Sequence, residues 1–215
     1  MLVKSRMSKY PLTIGPKESL SDAHYYMNKQ KVRHLPVVTS DAKMVGLVTE
    51  DDLLKAEPSG ATLLSVWEIH HLLREVKVEA VMVKNVITTI EDAPIEEAAH
   101  LMLDNKIGCL PVIRDDKLVG IITESDIFRT FMELFATREK GLRITLKCPY
   151  KAGELAKITK AIADVGGDIS ACGTFHLEDT TQGGVILKVR NVDNEILTDA
   201  LSKIEELTII DNRKI

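Results

Sequence analysis

A chain of 215 residues suffices for one large domain or two small ones. Its hydrophobic share of 45% and charged share of 28% are those of a globular protein, and a net charge of −4 gives no global field favouring nucleic acid or anionic lipid. Aromatic residues at 4% argue against a base-stacking surface, and the three cysteines, Cys109, Cys148 and Cys172, are too scattered for a metal knuckle and odd in number for a disulfide framework.

The first twenty residues hold Lys4, Arg6, Lys9, Pro11 and Pro16 and no continuous apolar run. No signal peptide and no membrane span are expected, and a cytoplasmic location is. A short entry strand is expected at Leu12 to Ile14, then a helix capped by Ser19 with Leu20, Ala23 and Met27 on its apolar face. Two β-branched-rich strands follow, Leu35 to Val38 and Met44 to Thr49, around a polar turn. A second helix is expected to open at Asp52 and continue through Leu53-Leu54, with Pro58-Ser59-Gly60 ending it. Thr62 or Ser65 can cap a linker helix whose stripe is Leu63, Val66, Ile69, Leu73 and Val76, widened by Trp67 and Leu72. His70 and His71 are adjacent, so on a helix they diverge by about 100° and make poor joint metal ligands.

The pattern then repeats. Met7 matches Met82, Ala23 matches Ala98, Met27 matches Met102 and Leu35-Pro36 matches Leu110-Pro111, all at a shift of 75. After the turn 39–43, one residue longer than 114–117, the shift is 74: Val45 to Glu50 falls on Val119 to Glu124, and Asp52 on Asp126. In this copy the entry strand is Val86 to Ile90. Glu91 or Asp92 precedes Pro94 at the helix start, and Ile95, Ala98 and Met102 form the apolar face. Each copy reads β-α-β-β-α, and the apolar strands of one need the other to cover them.

Beyond Phe131 to Phe135 the pattern changes near Lys140-Gly141. Leu142, Ile144, Leu146 and Cys148 alternate with Arg143, Thr145 and Lys147, the signature of a half-buried strand. Gly153 opens a helix with Leu155, Ile158, Ile162 and Val165 on one face, and Gly166-Gly167 ends it. Strands at 169–177 and 184–190 flank the turn Thr180 to Gly183. Asp193 or Asn194 caps a helix carrying Leu197, Leu201 and Ile204, and Leu207 to Ile210 is the last strand. The order βαββαβ is a ferredoxin-like plan.

The Leu-Pro-Val strand starts and the paired segments Gly46 to Asp52 and Gly120 to Asp126 resemble the CBS-domain family. Pro149 through Gly153-Glu154-Leu155 and Gly166-Gly167-Asp168-Ile169 resemble an ACT domain, although Tyr150, Ala152 and Asp168 depart from its usual Asp, Pro and Asn. The whole is similar to bacterial acetoin-utilisation B-type regulatory proteins. The fold class expected is α/β (α+β), with CBS repeats at 1–57 and 78–138, a helical linker at 58–77 and an ACT-like domain at 140–215.

The CBS resemblance implies two clefts related by a pseudo-twofold axis. One would combine Thr49 and Asp52 with Met82, Ile87 and Ile107; the other Thr123, Ser125 and Asp126 with Met7, Leu12 and Val32. The residue types suit an adenosine nucleotide. A carboxylate accepts from both ribose hydroxyls, apolar residues sandwich adenine, and Arg33 can pair phosphate oxygens bidentately. Asp51 against Ser125 makes the second cleft the expected phosphate site, since a carboxylate beside a phosphate costs about 1 kcal/mol.

The ligand expected is AMP, ATP, NAD or S-adenosylmethionine, acting as a regulator with no cofactor required. The ACT resemblance implies an effector, commonly an amino acid, at Ala152, Gly153, Glu154, Leu155, Gly167, Asp168 and Ile169, or a role in dimerisation alone. No HExxH, GxSxG, Walker A or GxGxxG sequence is present, so no enzyme, catalytic residue or metal site is expected. A homodimer acting on an unidentified regulated protein, with no nucleic-acid or membrane partner, completes the reading. The alternative is a ligand-free scaffold working through protein partners.

Overall fold

The computed structural model describes residues 1–56, 73–178 and 181–215, which divide into two compact units, Met1–Ile127 and Phe128–Ile215. Most of the linker helix expected from the sequence, including Trp67 and the His70-His71 pair, lies outside the described residues, as does Thr180.

In the first unit, α1 (Leu20–Gln30) starts at Ser19, whose hydroxyl accepts from Asp22 N–H while the Asp22 carboxylate accepts from Ser19 N–H. This reciprocal box satisfies two donors that a helix start leaves open. Leu20, Ala23 and Met27 are buried as their spacing requires. β2 (His34–Val38) and β3 (Met44–Thr49) form an antiparallel hairpin, and α2 (Glu50–Ala56) follows directly. After the short α3 (Val78–Val81), the second copy gives α4 (Ile95–Asn105), β4 (Cys109–Arg114), β5 (Lys117–Thr123) and α5 (Glu124–Leu134), of which Glu124–Ile127 belong to this unit and Phe128–Leu134 to the second. Ile95, Ala98 and Met102 are buried on α4.

Three local expectations are corrected. The entry segments make one parallel bridge each, Ile14 with Val37 and Thr89 with Val112, rather than strands. Ile14 bonds Pro36 O and Val38 N, so continuing the ladder toward Leu12 would need an N–H from Pro36, which has none; Pro111 stops the second copy in the same way. Pro94 occupies the cap position of α4, with Glu91 paired to Arg114 and Asp92 to Lys4 instead of capping. The second helix of each repeat begins two residues ahead of Asp52 and Asp126, at Glu50 and Glu124.

The repeats exchange their leading segments. Val3 N–H and Lys4 N–H donate to Ala93 O and Glu91 O, and β1 (Ser8–Lys9) pairs antiparallel with β5. Val3 and Met7 are therefore buried in the core of the second repeat, with Ala98, Met102, Leu110 and Ile122. Reciprocally, Val78 and Met82 pack on the core of the first, with Leu20, Leu35, Val48 and Leu73. The thioethers mark the symmetry. Met7 Sδ lies 2.5 Å from where a Cβ on Gly120 would stand, and Met82 Sδ 2.6 Å from the same point on Gly46. Each glycine is required by the methionine laid across it. Leu47, Cys109 and Ile121 close a small apolar cluster drawn from both repeats.

The second unit has the expected element order: β6 (Leu142–Pro149), α6 (Glu154–Asp164), β7 (Asp168–His176), β8 (Gln182–Arg190), α7 (Asn194–Ser202) and β9 (Thr208–Lys214). The sheet runs β7-β8-β6-β9 and is antiparallel throughout. Leu142, Ile144, Leu146 and Cys148 alternate into one core with Val185, Leu187 and Val189, covered by Ile158 and Ile162 of α6 and Leu197 and Leu201 of α7. Asp193 precedes α7 without a side-chain capping bond. Leu155, expected on the core face of α6, is exposed, and Glu154 is buried in its place.

Candidate functional site

Both Thr-x-x-Asp segments fold alike. At the start of α2, Asp52 Oδ2 accepts from Thr49 N–H at 2.9 Å and from its hydroxyl at 2.7 Å, and Thr49 Oγ1 accepts from Asp52 N–H at 3.3 Å. At the start of α5, Asp126 Oδ2 accepts from Thr123 N–H at 3.0 Å and from its hydroxyl at 2.8 Å. The aspartates therefore sit in the third helical position and the threonines are the caps, a correction to reading Asp52 and Asp126 as helix openers. Because the box uses Oδ2, Asp52 keeps Oδ1 for another donor.

Thr49 and Asp52 line a cleft of about 480 Å³ whose other walls include Ile87 and Ile107 from the second repeat. That volume falls in the range of small-molecule sites. The wall is partly apolar, from Leu47, Val83, Val86, Ile87 and Ile107, and partly charged. Arg33, Lys55 and Lys106 bring positive charge; Glu50, Asp51, Asp52 and Glu124 bring negative charge. Arg33 and its counterpart Gly108 lie on this same cleft, so the repeats supply different chemistry to it from equivalent positions. Strand-to-helix turns hold both in place, since Arg33 O accepts from Glu50 N–H and Gly108 O from Glu124 N–H.

Sequence reasoning missed Lys55, Lys106, Asn85 and His34 as lining residues. Lys106 was legible as the residue ending α4, where it takes a left-handed φ of 54°. His34 is half-buried, and burial together with the Arg33 charge lowers its pKa below the ordinary value, against the pull of Glu124. Burial pushes the Cys109 thiol up to about 12, so this cysteine behaves as a small apolar residue and not as a nucleophile.

The other expected residues are placed differently. Met82 is laid over Gly46 on the first core and is not among the residues lining the cleft, and Met7 is its symmetric equivalent over Gly120. Leu12 and Val32 pack at the edge of the first core. Asp126 is 7% exposed, whereas Asp52 is only half-buried and Ser125 is exposed.

In the second unit, Gly153 precedes α6 with φ of 92°, while Gly167 follows it, packed between Ile162 and Val189. The two loops stand at opposite ends of an 11-residue helix, roughly 16 Å apart, so one chain does not gather them into one site. Asp168, expected to hold an ammonium, is paired with Arg190 at 2.7 Å, and Ile169 packs on the core. Ala152, Glu154 and Leu155 instead line a recess with Tyr150, Phe175 and Gly184. Glu154 Oε1 pairs with Lys157 at 2.7 Å, and its buried Oε2 has no hydrogen-bond partner. Among the described residues no cluster of His, Cys, Asp or Glu could hold a metal ion, and no helix is long and apolar enough to cross a membrane.

The model of the CBS domain matches residues 3–59 and 78–133. The chain belongs to the CBS-domain family. The CBS pair is 33% identical to a protein of Vibrio cholerae assigned to acetoin utilization (AcuB), with a TM-score of 0.54 covering 64% of this chain and 95% of that one. It is 34% identical to the CBS domain pair of protein MJ0100, solved in complex with 5′-methylthioadenosine and S-adenosyl-L-methionine, with a TM-score of 0.51 over 61% of this chain and 99% of that one. A homoserine O-acetyltransferase of Methanohalobium evestigatum is 37% identical over 122 residues, which is 56% of this chain and 22% of that protein. The match thus spans about a fifth of the length of that curated relative.

Proposed function

We propose that the CBS pair is a non-catalytic sensor of an adenosine-containing ligand, bound in the cleft of Thr49, Asp52, Ile87 and Ile107. One observation carries the reading: an open cleft joins a half-buried aspartate from one repeat to apolar residues from the other. Asp52 Oδ1 accepts from the ribose hydroxyls, Ile87 and Ile107 cover the adenine faces, and Arg33, Lys55 and Lys106 take the phosphates, or the carboxylate of S-adenosylmethionine. AMP, ATP, NAD and S-adenosylmethionine share the adenosine portion that these contacts read. The adenosine compounds bound by the MJ0100 pair support the same class.

This reading reverses the ranking expected from Asp51 and Ser125. Three cations, Arg33, Lys55 and Lys106, line the Asp52 cleft beside its four carboxylates, while Asp126 keeps little exposed surface for a ribose. The second unit is read as an ACT-like domain that binds an effector or pairs with a second copy, and the similarity to the Vibrio protein supports a role near acetoin or carbon metabolism. A regulated protein partner and a cytoplasmic homodimer belong to the same reading. Ligand binding regulates only through different affinities for two arrangements of the protein.

Thermal shift against adenosine nucleotides, NAD and S-adenosylmethionine tests it. A ligand at 100 times its dissociation constant adds about 2.7 kcal/mol. The expected result is a shift lost in Asp52→Ala and kept in Asp126→Ala. A shift lost only in Asp126→Ala moves the site to the other cleft. No shift with any compound favours the scaffold reading, which the exposed Phe128, Phe131, Met132 and Leu134 support.

A further inference from the structure

Lys188 lies on β8, on the sheet face opposite the main core. Leu187 and Val189 enter that core, while Lys188 shares the other face with Ile186. It is nevertheless only 4% exposed. Its Nζ donates at 2.8 Å to Ala136 O, in the turn just beyond the end of α5, a carbonyl that also accepts from Glu139 N–H at 3.0 Å. An ammonium has three N–H donors, and this bond uses one. Among the described residues no carboxylate pairs with it. A buried cation with no counter-ion is costly.

The same side chain lines a groove of about 410 Å³ built from Phe131, Phe135, Phe175, Ile186 and Ala171. Phe131 and Phe135 stack with ring centroids 4.7 Å apart, and Phe135 lies against Gly173, where a Cβ would stand 2.9 Å from its ring. Arg143 and Lys188 are the charged side chains of the lining, which also includes the last residue, Ile215, and no Asp or Glu side chain contributes to it. Arg143 is held by Asp211 at 2.8 Å, which fixes its guanidinium without neutralising Lys188. A pocket with aromatic walls and a buried, unpaired cation is complementary to an amphiphilic anion.

We infer that this groove is a binding site for a small organic acid, with its carboxylate on Lys188 and its apolar body against Phe131, Phe135 and Ile186. The site lies wholly within the second unit and is independent of the nucleotide reading. It is also separate from the recess at Ala152, Glu154 and Leu155, although Phe175 borders both. A carboxylate gives the ammonium the counter-charge that the Ala136 carbonyl does not, and desolvation inside the groove strengthens that pairing.

The test is calorimetric titration of the full chain with 3-phenylpropionate, hexanoate and the uncharged 3-phenylpropionamide. Saturable binding of at least one acid is expected, at least tenfold tighter than the amide. Lys188→Met should weaken it at least tenfold and leave the adenosine-ligand titration unchanged. Ile186→Trp fills the groove without touching the ammonium and should abolish acid binding, so the proposal stays testable if Lys188→Met does not fold. Equal affinity for acid and amide, undiminished binding in a folded Lys188→Met protein, or no saturable binding of either acid overturns it. Sedimentation gives the remaining outcome. A dimer dissociated by Ile186→Trp, with no acid bound, would assign the groove to a second copy and also overturn the proposal.

Discussion

Ser19-x-x-Asp22 and Thr49-x-x-Asp52 form the same hydrogen-bonded box, a hydroxyl cap and an aspartate three residues on, within 0.2 Å at each of the three bonds. Asp22 faces solvent at the start of α1; Asp52 lines a cleft with apolar residues from the other repeat. The box is thus a helix start in both places, and the surroundings alone make one of them a candidate site. The Thr123 pair shows a third case, the two bonds from the threonine made to a carboxylate that is nearly enclosed.

The largest expected effect breaks the scaffold that makes these surroundings differ. Met7→Ala should destabilise by about 2–5 kcal/mol, as for other buried methionines cut back to alanine. Hydrogen exchange should show the loss first among the amides of β4 and β5, in the repeat that Met7 does not belong to by sequence. Met82→Ala should do the converse and loosen β2 and β3, less strongly because Met82 is only partly buried. Loosening of each methionine's own repeat would contradict the exchange.

Substitution at the boxes separates cap from site. Asp22→Ala and Asp52→Ala each remove the carboxylate half of a capping box and should cost about 0.5–2 kcal/mol, the range of helix-start capping bonds. Only Asp52→Ala should also weaken adenosine-ligand binding, by tenfold or more. Equal loss of ligand in both variants would show that helix stability, and not the Asp52 carboxylate, governs binding.

A smaller effect is expected from pH. His34 has its pKa lowered in the folded protein, so the unfolded chain takes up the proton first. Its contribution to stability is present above the unfolded value near 6.5 and is lost as pH falls through the lower folded value. Wild-type protein should therefore lose stability more steeply than His34→Gln between about pH 7 and pH 5. Parallel melting curves would remove His34 as the cause. The smallest effect should come from the exposed pair Lys160–Asp164, where Lys160→Ala should change stability by about 0–0.5 kcal/mol.

The repeat was legible because two copies, each 74–75 residues from its counterpart, reinforce one another, and the buried triplets Leu20-Ala23-Met27 and Ile95-Ala98-Met102 follow from helical spacing. The alternation Leu142 to Cys148 likewise named the core side of β6. The leading segments were not legible as exchanged, because Met7 and Met82 have the same pattern whichever core they enter. Nor was the grouping of Arg33 with Gly108 on one cleft, since the sequence gives equivalent positions but not the axis between them. Glu154 misled for a chemical reason. A charged residue beside an apolar one reads as the exposed neighbour, yet Lys157 and Lys151 pair with it and allow it, not Leu155, to turn inward.

The exchange of leading segments also sets a clock on synthesis. Lys9 pairs with Gly120, so roughly 110 further residues must leave the ribosome before the strand next to the N-terminal segment exists. At about 5–20 residues per second, that is on the order of 5–20 s. During this interval Val3 and Met7 have no core to enter, and the first repeat is likewise incomplete until Val78 and Met82 have been made. The first repeat has its full core once Met82 is made, whereas the core that Val3 and Met7 enter is complete only after Ile122. The second repeat therefore closes late in translation, and a chain interrupted between Met82 and Gly120 would leave Val3 and Met7 exposed.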